Sequence, residues 1–217
     1  MATYLDTVNS VLRRLREPTV QTVDDTPYSS MIGVLVNDAK REVEDATEWN
    51  VLSSTITVST TAGTHNYTLT GAGTRFRVID VVNDTNNILL QNAPTSWMTQ
   101  QFLFTSDNDR GTPMYYNFNG VDTNGDTQVD LFERPDGVYS IRFNLILPQA
   151  ELSTGTTRIL VPSHLVSMLA YAKAIAERGE DGGNLSSEAY ALYKSALANE
   201  VAIERNRYPE EMNWTAP

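Results

Sequence analysis

The stretch at residues 4–52, YLDTVNSVLRRLREPTVQTVDDTPYSSMIGVLVNDAKREVEDATEWNVL, decides how this chain folds. Tyr4, Val8, Val11, Leu12 and Leu15 recur at helical spacing and form one apolar stripe. Asp6 and Thr7 stand near the positive end of that helix's dipole, and Arg13, Arg14 and Arg16 near its negative end. Pro18 disfavours helical geometry at Glu17 and predicts the stop there. Asp24, Asp25, Thr26 and Pro27 then read as a cap and first-turn proline for a longer helix. Its predicted stripe is Met31, Leu35, Ala39, Val43 and Ala46, with Lys40, Arg41, Glu42 and Glu44 off it, and it closes on Trp49. Two half-apolar helices cannot hide their stripes alone, so they need partners from elsewhere in the chain.

Those partners are predicted at the other end. Pro162 and Ser163 open a helix with Leu165, Met168, Leu169, Ala172 and Ile175 on one side, and the glycines after Glu177 stop it. Ser186, Ser187 and Glu188 read as the cap of a last helix carrying Leu192, Tyr193, Ala196, Leu197, Val201 and Glu204. Between the two ends the texture is β-like. The run 53–69 has a turn at Ala62 and Gly63, with Ile56 and Val58 before it and Tyr67 and Leu69 after. Residues 75–82, RFRVIDVV, predict a strand with Phe76, Val78 and Asp80 on the face opposite Arg77, Ile79 and Val81. A short return strand at 88–91 and a surface helix around Trp97, Gln101 and Phe102 follow. MYYNFNG, TQVDLFE and VYSIRFNLIL read as a three-strand meander, and 153–160 as a polar linker.

The predicted fold is therefore α+β: an antiparallel bundle of N- and C-terminal helices, an inserted antiparallel sandwich or barrel-like β domain, and an extended C-terminal arm. The predicted boundaries are 1–52 for the first helix pair, 53–160 for the β domain, 161–207 for the second pair and 208–217 for the arm.

Composition narrows the function. A formal net charge of −11 argues against wholesale electrostatic binding of nucleic acid. The absence of cysteine removes disulfides, thiolate metal sites and a thiol nucleophile. The charged N-terminus does not read as a signal peptide, and no run is long and apolar enough to span a membrane. His65 and His164 stand far apart without metal-ligand spacing, the glycine pairs lack a phosphate-loop lysine, and no nucleophile elbow is present. The chain reads as no enzyme and needs no cofactor.

Three constellations remain. Asp122, Asn124, Asp126, Asp130 and Glu133 place oxygens at spacing close to an EF-hand calcium loop, which also motivates an alternative function, a calcium-dependent carbohydrate-binding β module on a helical scaffold. Against it, Thr127 stands where the loop wants glycine, and both flanks are strand-like; the competing reading is a polar hairpin turn. Arg13, Arg14 and Arg16 form a basic cluster in an acidic chain, read either as a dipole-matched helix end or as an anchor for an acidic neighbour. Tyr208, Met212 and Trp214 lie in a proline-bounded tail, read either as folded back on its own subunit or as an arm that another chain buries.

The run VNSVLRRLREPTVQTVDD, followed by a helix ending in EDATEWNVL, resembles the opening of the head-to-tail adaptor (tail tubular protein A) family of short-tailed bacteriophages, the podoviruses. The shared shape is V-N-x-hydrophobic-L, then E-P-T-V, then an amphipathic helix and a tryptophan. The stretch G-x-P-x-Y-Y followed by L-F-x-x-P-D-G-x-Y is similar to the β region of the same adaptors. The resemblance implies a structural virion protein, assembled in the host cytoplasm as a homo-oligomeric, dodecameric ring. It implies the portal protein, the tail nozzle protein and tail fibres as partners, with no membrane. DNA would pass through the lumen of this ejection channel without specific binding. It implies portal docking for the arm at Tyr208, Met212 and Trp214, and ring contacts for Arg13, Arg14 and Arg16.

Overall fold

The computed structural model describes residues 2–104, 110–179 and 182–206. They form a mixed α+β protein in two compact units: the described residues of Met1–Leu52 with Gln149–Pro217, and Ser53–Pro148. The arm residues Tyr208, Met212 and Trp214 lie outside the described residues.

The first unit is helical. Helix α1, Tyr4–Arg14, starts at a capping box in which Thr3 Oγ1 accepts from the Asp6 amide at 3.1 Å and the Asp6 carboxylate accepts from the Thr3 amide at 3.0 Å. The next orphan donors, the Tyr4 and Leu5 amides, reach the carbonyls of Thr157 at 2.8 Å and Gly155 at 3.0 Å. The run read as a linker is thus a fixed strap across the start of α1. At the other end, Leu15 caps the helix and Arg16 turns left-handed at φ 61°. The Glu17 amide then reaches Leu12 O at 2.9 Å and the Arg16 amide reaches Arg13 O at 3.1 Å, a Schellman closure. So the helix ends before Pro18 acts, and Arg16 lies beyond its last turn.

Helix α2, Pro27–Ala46, is capped by Thr26. Its buried face is Ile32, Gly33, Val36, Ala39, Lys40, Val43 and Glu44, rotated from the predicted stripe; Ala46 is exposed. Lys40 and Glu44 are buried because the chain returning at Gln149 lies over them. Lys40 Nζ donates to Gln149 O at 2.6 Å and Ala150 O at 3.2 Å and pairs with Glu44 Oε1 at 3.1 Å. The Gln149 amide donates to Glu44 Oε1 at 3.2 Å, and Asn37 exchanges two bonds with the Leu152 backbone at 2.9 and 3.0 Å. A backbone strap covers this side of α2, and apolar periodicity does not register such cover. Residues 149–160, read with the β segment, belong to the helical unit.

Past α2, Trp49 is buried and donates from Nε1 to Val43 O at 2.7 Å, ahead of a 3₁₀ turn at Asn50–Leu52. Helix α4, Ser163–Arg178, packs against α1, α2 and helix α5, Asn184–Arg205, and is buried around much of its circumference. In α5 only Ala189, Tyr193 and Glu204 are fully buried; Leu192, placed on the predicted stripe, is exposed. The Glu204 carboxylate ties the end of α5 to the Asn50 amide at 2.8 Å.

The second unit holds two four-stranded sheets. One orders β1 (Ser53–Ser59), β10 (Ser140–Ile146), β3 (Arg77–Asn83) and β4 (Ile88–Leu89), all antiparallel. The other orders β2 (Asn66–Thr68), β8 (Thr127–Phe132), β7 (Tyr115–Val121) and β5 (Gln91–Asn92), with β5 parallel to β7. A small parallel pair joins β6 (Arg110–Gly111) to β9 (Arg134–Pro135), and helix α3 (Thr95–Phe104) lies between β5 and β6 in the chain. No barrel closes among the described residues. Val81, Ile141, Phe143 and Leu145 from one sheet and Tyr116, Val129 and Leu131 from the other share one core.

Three local expectations change here. The Ala62–Gly63 turn does not make a hairpin, because β1 pairs with β10 and β2 with β8. The meander is a β7–β8 hairpin followed by a strand that crosses to the other sheet. In β3 the register shifts at Ile79, since Asn144 faces Asp80 and Leu145 faces Val78. This bulge turns Ile79 outward and puts Phe76, Val78 and Val81 against the same core, against strict alternation.

Candidate partner interface

The end of α1 and the loop after it form the most specified surface of the helical unit. Asn9 projects from α1 toward the loop. Its Oδ1 accepts from the Val20 amide at 2.9 Å and its Nδ2 donates to Val20 O at 3.0 Å. The loop is held at a second point where Glu17 Oε1 takes Arg178 of α4 at 2.5 Å. Arg178 Nε also donates to Tyr28 Oη at 2.8 Å, with the guanidinium 5.0 Å over the Tyr28 ring. The Glu17 hydrogen bond and the Tyr28 hydroxyl raise the Arg178 pKa, so its charge is fixed. A third tie is internal: the Asp25 carboxylate accepts from the amides of Gln21 at 2.6 Å and Thr22 at 2.9 Å, and these bonds with the Thr22 hydroxyl lower its pKa. An open cleft of about 520 Å³ lies here, walled by Leu12, Pro18, Val20, Tyr28 and Arg178.

The signal for this clamp stood in the sequence: Asn9 and Val20 are the N of V-N-x and the V of E-P-T-V. Their spacing alone did not say that one holds the other.

Arg13, Arg14 and Arg16 are exposed beside this loop. Arg13 Nε donates to Asn9 O at 3.1 Å, and Arg14 stands 5.9 Å over the Tyr171 ring. Among the described residues Arg14 and Arg16 have no ion pair, so their charge faces outward.

The Asp122–Glu133 oxygens are placed differently. Asp122 Oδ1 accepts from the Asn124 and Asp126 amides at 2.8 and 2.9 Å, closing the turn between β7 and β8. Asp126 Oδ1 accepts from the Gly71 and Gly73 amides at 3.0 and 3.1 Å. Asp130 accepts from Asn66 at 2.8 Å and Asn119 at 2.9 Å, and Glu133 lies against Gly111. The carboxylates serve separate hairpin contacts, and no group of three or more His, Asp or Glu among the described residues is placed to hold a metal ion. His65 packs on Phe102 at 4.7 Å, and His164 meets Glu200 at 3.3 Å in the other unit.

No helix among the described residues is long and apolar enough to cross a membrane. No curated protein matches the sequence. The family model described as SU10 adaptor protein matches residues 2–215, through both units and all the surfaces above. The chain belongs to the SU10 adaptor protein family.

Proposed function

We propose that this chain is the head-to-tail adaptor of a short-tailed phage, a structural protein that forms a closed dodecameric ring between portal and tail nozzle and encloses part of the ejection channel. The family match over residues 2–215 carries the reading, because it spans both ends of the helical unit and the whole β unit. The helices make the ring as a bundle, and the two-sheet β unit works as a sandwich facing the nozzle and fibres. Arg14 and Arg16, without ion pairs among the described residues, supply cations to an acidic surface of the next copy, while Tyr208, Met212 and Trp214 dock on the portal. With −11 on each copy, the ring is strongly negative, and an acidic wall lets DNA slide without sticking.

Imaging of the purified chain mixed with its portal tests this. A closed ring seated on the portal is expected, and an Arg14→Glu/Arg16→Glu variant should seat fewer copies at moderate salt. A chain that neither oligomerises nor binds the portal would refute the reading.

A further inference from the structure

The two four-stranded sheets of the β unit have four edges, and three of them are very short strands: β2 has 3 residues, and β4 and β5 have 2 each. The fourth edge is different. β1 has 7 residues, pairs along its whole length with β10 on one side, and has no strand on the other among the described residues. Among the described residues no backbone hydrogen bond reaches the outer side of Ser54–Ser59. The local sequence does not blunt this edge: residues 49–74 contain no Lys, Arg, Asp or Glu, and β1 has no proline. Protein edges of this length are ordinarily charged, bulged or covered.

The core is also unfinished at this edge. Ser54, Ile56 and Val58 face inward beside Leu145, Phe143 and Ile141, which are fully buried. Ile56 and Val58 remain half-buried. One further strand would satisfy the outer amides and carbonyls and complete the burial of both side chains.

We infer that β1 is a docking edge for an extended segment of another tail protein, which adds a strand beside it. This rests on the adaptor-ring reading. A ring of equivalent copies has only head-to-tail contacts, and the short edges of a neighbour's described residues cannot match β1; β1 against β1 needs a two-fold axis that such a ring lacks, and residues 207–217, assigned to the portal above, carry Glu210, Glu211 and two prolines, which suit this uncharged edge poorly. The occupant is therefore a different chain. Its segment is about seven residues long, uncharged, and alternates apolar side chains beside Ile56 and Val58 with small hydroxyl side chains beside Thr55 and Thr57.

Hydrogen exchange at residues 53–59 tests the inference in three samples: the purified chain, the chain ringed on its portal, and tail complexes isolated from virions. The expected result is slowing of at least about tenfold in the complete tail only. Thr57→Glu puts a carboxylate opposite Arg142, which keeps the fold, and a charge on the edge, which should abolish that slowing while ring and portal binding persist. Unchanged exchange in complete tails that contain the ring overturns the inference and leaves the adaptor reading standing. Slowing already in the portal-bound ring overturns the assignment to another tail protein. Tails that lack the chain overturn both.

Discussion

Replacing Asn9 by Ala removes the two hydrogen bonds that hold Val20 to α1, at 2.9 and 3.0 Å. Each bond contributes about 1 kcal/mol net, and Val20 is left with a half-buried amide and carbonyl unpaired, so the gross loss is about 2–3 kcal/mol. Ala is the better helix former by about 0.6 kcal/mol, which offsets part of it. The expected net loss is about 2 kcal/mol, or a drop of about 8 °C in the transition of the helical unit. Far-UV circular dichroism against temperature and urea reads this transition, and the β unit gives a separate reference. The loop from Glu17 to Thr26 should also exchange its amides faster, because the Arg178 tie and the Asp25 turn remain but the central tie is gone. An N9A protein within about 0.5 kcal/mol of the wild type would refute the idea that this amide fixes the loop.

Other outcomes follow from the same geometry. In Gly33→Ala the new Cβ would stand 2.5 Å from the Tyr4 hydroxyl and 2.7 Å from Val23 Cγ1, so overpacking of about 1–3 kcal/mol should outweigh the gain in helix propensity. Adding Tyr4→Phe should restore part of that loss, and strict additivity in chemical denaturation would count against the clash. Lys40→Met leaves Glu44 buried without its cation and should cost about 3–5 kcal/mol, more than the Lys40→Met/Glu44→Leu pair. Burial, then Glu42 and Tyr190, push the Tyr193 phenol from 10.0 to about 12. A raised pKa means the neutral form is favoured in the fold, so this contribution is intact below pH 10.0 and fades as pH rises toward about 12. Tyr193→Phe should flatten the alkaline loss of stability, and an unchanged pH profile would show that the phenol does not drive it.

The elements of this fold were legible where the deciding forces are local. The stripe of α1, its acidic start, the Thr26–Pro27 entry into α2 and the β7–β8 turn all depend on residues within a few positions of each other. What was not legible depends on partners far along the chain. Lys40 and Glu44 are buried because Gln149 and Ala150 return over them, more than a hundred positions later. The face of β3 depends on a bulge that appears only against β10. β1 and β2 flank a turn yet join different sheets, β1 pairing along seven residues with β10 and β2 along three with β8.

The candidate surfaces divide in the same way. The oxygen spacing from Asp122 to Glu133 suits a calcium loop only if the backbone curls so that the side chains converge. In an extended hairpin, successive side chains alternate faces, and Asp126 and Asp130 find backbone amides and asparagines instead. Asn9 and Val20 go the other way: a degenerate pattern with no evident chemistry becomes a two-point clamp once α1 and the loop are side by side. A clamp of this kind catalyses nothing. It fixes the height and angle of the loop beside Arg14 and Arg16, and the ring proposed above would need such fixed contacts, because an angular error at one interface repeats at every copy and prevents closure.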